Sequence, residues 1–217
     1  MSMQSDAQQP PVQEQGFGAP GTSHKRSRRV KILAGLAVPV GLLILLVIAA
    51  VGAGFLRTYR IPSPAMSPTL QVGDHILVAK AQFPFSDLHR GDVITFHPPS
   101  GADTQQCGQP QSPTDGHPCP TPTPGLSRVT FIKRIVGVPG DSLSIRNNRV
   151  YVNGTALDEP FIKSGTPCGE LCNLPKPIKI EPGYYYVLGD NRGESDDSRD
   201  WGPVPSKSII GRKILTY

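Results

Sequence analysis

The run Phe131-Ile132-Lys133-Arg134-Ile135-Val136-Gly137-Val138-Pro139-Gly140-Asp141 decides how the rest of this 217-residue chain is read. It is apolar enough for a buried strand, closes on Pro and Gly, and carries a lysine near its start. Side chains two apart in a strand share a face, so Phe131, Lys133 and Ile135 point the same way. Ile132 and Val136 make the other face partly apolar. A lysine in such a run either snorkels to the sheet edge or is buried. Burial disfavours the ammonium form and lowers the pKa from its ordinary value of about 10.4. A free amine can then take a proton from a hydroxyl, which makes Lys133 the candidate general base.

Outward from this run, the same β composition recurs in His75–Lys80, Asp92–Phe96, Tyr184–Leu188 and Ile209–Leu215. Ser142–Arg146 and Arg149–Val152 alternate around Asn147-Asn148 as a hairpin would. With 24 prolines and 23 glycines, the composition favours strands, turns and loops over long soluble helices. The expected fold is mostly β, and no segment beyond residue 56 shows a helical period. Residues 98–125 hold eight prolines without apolar periodicity and read as a surface insertion, or as a loop that modulates access to a site. Ser164–Pro182 reads as a second turn-rich excursion.

The net charge of +5 is accounted for by Lys25, Arg26, Arg28, Arg29 and Lys31, which leaves the remainder near neutral. Basic residues interleaved with aromatics are lacking on the folded part, so a nucleic-acid partner is excluded. Ile32–Leu56 carries no charge, and at about 1.5 Å per residue its length crosses a bilayer core with some tilt. A retained transmembrane helix is expected over 32–56, longer than the apolar core of a cleaved secretory leader. Residues 1–31 form a basic, disordered tail on the cytoplasmic side, and residues 57–217 form the extracytoplasmic domain. The lipid bilayer is thus an expected partner, and the chain a single-pass protein of the cell membrane. Cys107, Cys119, Cys168 and Cys172 all lie beyond that span, where disulfides form. Cys168 and Cys172 suit a tight loop, although three connectivities are open. A metal reading of Cys107, His117 and Cys119 lacks a fourth ligand, and no metal or other cofactor is expected.

Four short boxes follow in order: Ser63-Pro64-Ala65-Met66-Ser67-Pro68-Thr69-Leu70; Arg90-Gly91-Asp92-Val93; the lysine run ending at Asp141; and Gly189-Asp190-Asn191-Arg192-Gly193-Glu194-Ser195-Asp196-Asp197-Ser198-Arg199. Together they resemble the type I signal peptidase (leader peptidase) family over about residues 30–217, excluding the Pro-rich insertion. The resemblance implies an antiparallel β domain anchored by one N-terminal helix, and serine endopeptidase cleavage of leader peptides from secretory precursor proteins after small residues. It assigns Lys133 as general base, Ser195 as the group that orients its amine, and Asp197 and Arg199 as structural support. It also assigns Ser63 to the oxyanion hole. The family's nucleophile position reads Ala65, which has no nucleophilic atom.

Three readings of that gap stand. Ser63, on the same face of an extended segment, takes over as nucleophile, with Ser67 a weaker substitute. Alternatively the chain binds leader peptides or exported proteins without cleaving them, or Ala65 is a substitution that silences the site. The self-cleaving repressors share the Ser/Lys logic, but they would need a DNA-binding helical domain where this chain has its apolar span.

Overall fold

The computed structural model describes residues 39–46, 48, 49, 52, 54–80, 87–109 and 116–217. The chain divides into two compact units, residues 1–47 and 48–217. In the first, the described residues 39–46 are helical, and Val40 and the apolar residues 42–46 are each more than half exposed. Residues 32–38, 47, 50, 51 and 53 of the expected span lie outside the described residues. Among the described residues no helix is long and apolar enough to cross a membrane. The outer end of the expected span is revised. Gly54 adopts a positive φ in a turn, and Leu56 already belongs to a strand.

The second unit is built from strands β1 (Leu56–Arg60), β2 (His75–Lys80), β3 (Val93–Phe96), β4 (Phe131–Gly137), β5 (Ser142–Arg146), β6 (Arg149–Val152), β7 (Thr155–Ala156), β8 (Leu174–Lys179), β9 (Tyr184–Leu188), β10 (Val204–Pro205) and β11 (Ile209–Thr216). They form a seven-stranded sheet in the order β1-β2-β11-β3-β4-β9-β10 and a four-stranded sheet in the order β7-β6-β5-β8. All pairings are antiparallel. The mostly β expectation therefore holds, and beyond residue 56 the described helices are single short turns.

Strand β4 lies inside the large sheet, between β3 and β9, and its side chains feed three cores. Ile135 packs with Phe96, Val187, Trp201 and Val204, and Phe131 lies against that group. Val136 points the other way, into a cluster with Leu143, Ile145, Tyr186 and Leu188. Ile132 leans on Met66, Leu70, Ile76 and Val78. A strand with period-two alternation can serve opposite faces in this way, and an irregularity between Ile135 and Gly137 in its pairing with β9 eases the change of face.

Turn chemistry fixes the small sheet. Asn147 and Asn148 both take positive φ, as a two-residue hairpin turn requires, and they join β5 to β6 with Leu143 opposite Val152. The Ser164–Pro182 segment differs from expectation, because Leu174-Pro175-Lys176-Pro177-Ile178-Lys179 is a strand. As an edge strand paired only to β5 it tolerates two prolines, and Leu174 and Ile178 face the core.

The Pro-rich insertion also departs from a plain surface loop. Ala102 and Cys119 are fully buried, Pro99 bridges to Leu126, and Cys107 pairs with Cys119 in a disulfide. That pairing uses both thiols of the metal reading considered above.

Gly137 has no room for a side chain. A methyl group there would run into Ile180 and lie 3.0 Å from Leu143 Cδ1 and 3.2 Å from the Tyr186 Cβ. Gly137→Ala is expected to destabilise the domain by about 1–3 kcal/mol through overpacking. Denaturant unfolding followed by fluorescence of Trp201, the single tryptophan, measures this. A change below about 0.5 kcal/mol would refute the packing argument.

Candidate active site

Lys133 sits at the register position opposite Ile94 on β3, and its side chain is 4% exposed. Its Nζ hydrogen-bonds the Ser195 Oγ at 2.8 Å and lies 5.8 Å from the centre of the Phe131 ring. Burial lowers its pKa from the ordinary lysine value, and the charge of Arg199 acts in the same direction. The carboxylates of Asp197, Asp196 and Asp200 oppose the shift without cancelling it. An amine so placed loses its proton more readily than a surface lysine.

Lys133 opens on a cavity of about 320 Å³ that is also lined by Pro62, Ser63, Ala65, Phe131, Glu194 and Asp196. Ser63, Ala65 and Lys133, far apart in sequence, thus meet on one cavity. The local geometry differs from the extended segment expected. Ser63 itself is extended, with φ −137° and ψ 158°, but Pro64–Met66 is a 3-10 turn with Pro64 at its start. Proline's fixed φ suits that position. With about three residues per turn, residues two apart no longer share a face, so Ser63 and Ala65 approach the cavity from different sides of the turn. The Ser63 hydroxyl makes no hydrogen bond among the described residues. Ser67 is buried and its hydroxyl donates to Gln71 Oε1 at 2.9 Å; it is not among the residues around the cavity.

The Gly189–Arg199 box is not the solvated charged loop that its composition suggests. Asp190, Arg192, Asp197, Arg199 and Asp200 are all buried, whereas Glu194 and Asp196 stay exposed. Asp197 and Arg199 form a bidentate pair, Nε to Oδ1 at 2.7 Å and Nη2 to Oδ2 at 2.9 Å. Burial pushes the Asp197 carboxyl up, but the charge and hydrogen bonds of Arg199, Lys133 and the Gly189 N–H outweigh it and hold the pKa below the usual value. Asp197 also caps the four-residue helix Ser198–Trp201, and Asp200 returns the contact by accepting from the Asp197 N–H. Burial and the neighbouring Asp197 charge raise the Asp200 pKa to about 6. Arg199 Nη2 further donates to the carbonyls of Arg192 (2.7 Å) and Ser195 (3.2 Å), which sets the backbone that carries the Ser195 hydroxyl.

Three contributors were not legible from pattern. Arg134, beside the lysine and on the opposite face of β4, forks onto Asp190 with Nε to Oδ1 at 2.8 Å and Nη2 to Oδ2 at 2.6 Å. It also reaches Thr69 Oγ1 and the Gly91 carbonyl, so the four boxes meet on one guanidinium. Asn191 holds the 3-10 turn, its N–H donating to the Ala65 carbonyl at 3.1 Å and its Nδ2 to the Pro64 carbonyl at 3.2 Å. At Gly189, an added methyl would strike the Ser195 Oγ and lie 2.5 Å from the Ala65 carbonyl. A second charge within an apolar strand was the available signal for Arg134. The other two left none.

A buried amine held for chemistry should cost stability. Lys133→Met is expected to stabilise the fold by on the order of 1 kcal/mol at pH 7. Because the folded pKa lies below the unfolded one, the wild-type penalty is full below the folded pKa and fades as pH rises towards the unfolded value. The gain should therefore shrink between pH 7 and 10 in denaturant titrations, and a gain that grows with pH would overturn this account.

The family model described as "Signal peptidase, peptidase S26" matches residues 34–217. The chain is 36% identical over 157 residues to the signal peptidase I of Leptolyngbya laminosa, covering 72% of this chain and 66% of that one. It is 34% identical over 176 residues to the probable signal peptidase I-2 of Synechocystis sp., covering 79% of this chain and 68% of that one. The solved signal peptidase I of Enterococcus faecalis is 28% identical, covers 58% of this chain and 96% of that chain, and superposes with a TM-score of 0.39. The chain thus spans about two thirds of the length of the first two relatives. With the family model matched along most of its length, this chain belongs to the signal peptidase family, peptidase S26.

Proposed function

We propose that this chain is a membrane-anchored serine endopeptidase that removes leader peptides from secretory precursors, with Lys133 as general base and Ser63 as the nucleophile in place of the hydroxyl missing at Ala65. The observation that carries this reading is a buried Lys133 amine of lowered pKa that opens on the same cavity as Ser63, whose hydroxyl has no hydrogen-bond partner among the described residues. Ser63 Oγ attacks the scissile carbonyl carbon while its proton passes to Lys133 Nζ. The ammonium so formed faces the carboxylates of Asp196, Asp197 and Asp200, which favour it, and it then protonates the departing amine. Water, deprotonated by the same amine, releases the acyl group and restores Ser63. Ser195 orients Lys133, and Asp197 with Arg199 holds Ser195 in place. Pro62, Ala65, Phe131 and Ile132 give the cavity the apolar wall that a small side chain before the cleaved bond would meet.

A second reading, a silent homologue that binds leader peptides without cleaving them, is favoured by the 3-10 turn that takes Ser63 out of register with Ala65. Cleavage of a precursor whose leader ends in Ala-x-Ala decides between them. Weak wild-type cleavage that rises with pH through the lowered Lys133 pKa is expected, and Ser63→Ala and Lys133→Ala should each abolish it. Ala65→Ser should raise the rate by about a hundredfold, because a nucleophile displaced by even about 1 Å loses that much. Binding without cleavage in all forms except Ala65→Ser would establish the silent reading. No gain in Ala65→Ser would remove Lys133 as the base.

The anchor rests on the basic run Lys25–Lys31 before an uncharged stretch and on the exposed apolar side chains of residues 40–46. Protease added to intact cells is expected to digest residues beyond Arg57 and spare the tail. A tail cut from outside would reverse this topology.

A further inference from the structure

We infer that the Cys168–Cys172 disulfide is a positioning element for the Lys133 amine, acting through Arg199 and Ser195. This rests on reading Lys133 as a base, but what it predicts is a property of the amine and not of cleavage. The guanidinium of Arg199 is fully buried and every N–H-bearing nitrogen is engaged. Nε and Nη2 face Asp197 and the two carbonyls named above, and Nη1 lies 3.3 Å from both Cys168 Sγ and Cys172 Sγ. The disulfide therefore closes the one side of the guanidinium that the Asp197 box leaves open. Around it the two segments abut backbone to backbone. A methyl group on Gly193 would strike the Pro167 carbonyl, and Cys168 Sγ lies 3.5 Å from the carbonyl of Arg192.

Bridging residues only four apart removes little chain entropy, so the bond adds less to global stability than one closing a long loop. Its value is local. Without the two sulfurs, Arg199 Nη1 loses both of its contacts and the Cys168 segment its contact with the Arg192 carbonyl, which leaves the guanidinium free to turn. In the reduced chain, a free thiol beside the guanidinium also favours its thiolate, which would compete with Asp197 for Arg199. Either change loosens the carbonyl of Ser195 and moves the positive charge that helps to lower the Lys133 pKa. The groups facing the amine are then Asp196, Asp197 and Asp200, all of which favour the ammonium.

The test follows reductive methylation of lysines in the full chain in detergent as a function of pH, with mass analysis of the peptide carrying residue 133. In the wild type, Lys133 should reach half its limiting rate at lower pH than the exposed Lys176 and Lys179. In Cys168→Ala/Cys172→Ala that midpoint should rise by about one pH unit, which is about tenfold less free amine at neutral pH. A midpoint that is low and unchanged in the double variant overturns this inference and leaves the base intact. A wild-type Lys133 that titrates like the exposed lysines removes the base itself, and the inference with it. Trp201 fluorescence reports whether the variant keeps its fold. If it does not, folded wild-type chain treated with a dithiol, which supplies two electrons and two protons to give two thiols, is read in the same way. Loss of native fluorescence in both forms also overturns the inference, because a bridge the whole fold requires is not a local positioning element.

Discussion

The fork between Arg134 and Asp190 is the interaction on which the rest of the site depends. Both partners are largely buried, and the guanidinium is sandwiched further by the Phe161 ring, 3.9 Å from its central carbon. Removing charges from water is costly, and a buried pair holds only when geometry is good and the remaining donors are satisfied. Here Thr69 and the Gly91 carbonyl satisfy them. The consequence is positional: four segments scattered over more than a hundred residues are fixed to one planar group. The 3-10 turn at Pro64–Met66, the start of β3, the lysine strand and the Gly189 turn cannot drift independently.

Within that frame, adjacent residues of β4 do opposite work. Arg134 is paired, while Lys133, one residue earlier and on the other face, has its pKa lowered because its carboxylate neighbours do not make up for lost water. The difference lies in contact. Arg134 touches its carboxylate directly, but Lys133 meets a hydroxyl, and Asp197 is engaged by Arg199 instead. By holding Asp197, Arg199 keeps it from forming an ion pair with Lys133.

Much of the fold could be read from composition and alternation. Seven β segments, the Asn-Asn turn and the mostly β class appear where the residues indicate. The departures have physical causes. Strand β8 was hidden by its prolines, which disqualify a central strand but not an edge strand. Leu56 belongs to a strand because pairing with β2 is available to it, although its apolar neighbours continue the helical stretch. In the site, Lys133, Ser195, Asp197 and Arg199 come together from two distant segments. The relation of Ser63 to Ala65 was misjudged because Pro64 permits a tight turn as readily as an extended chain. Gly189 acts through backbone fit, and Asn191 through one backbone and one side-chain hydrogen bond to a turn distant in sequence, neither of which shows in the pattern.

The prolines of β8 also bear on how the domain avoids pairing with other extended chains. Pro175 and Pro177 offer no N–H, and the N–H of Lys176 is already given to the Gly116 carbonyl, so three consecutive residues along that border of the small sheet have no donor to spare. Its opposite border, β7, is two residues long, and β10 at one margin of the large sheet is a two-residue strand ending in Pro205. Borders of this kind are poor templates for strand addition. An extended chain meeting the domain therefore finds poor templates at three of the four sheet margins, which is a safeguard against self-association as much as a feature of the fold.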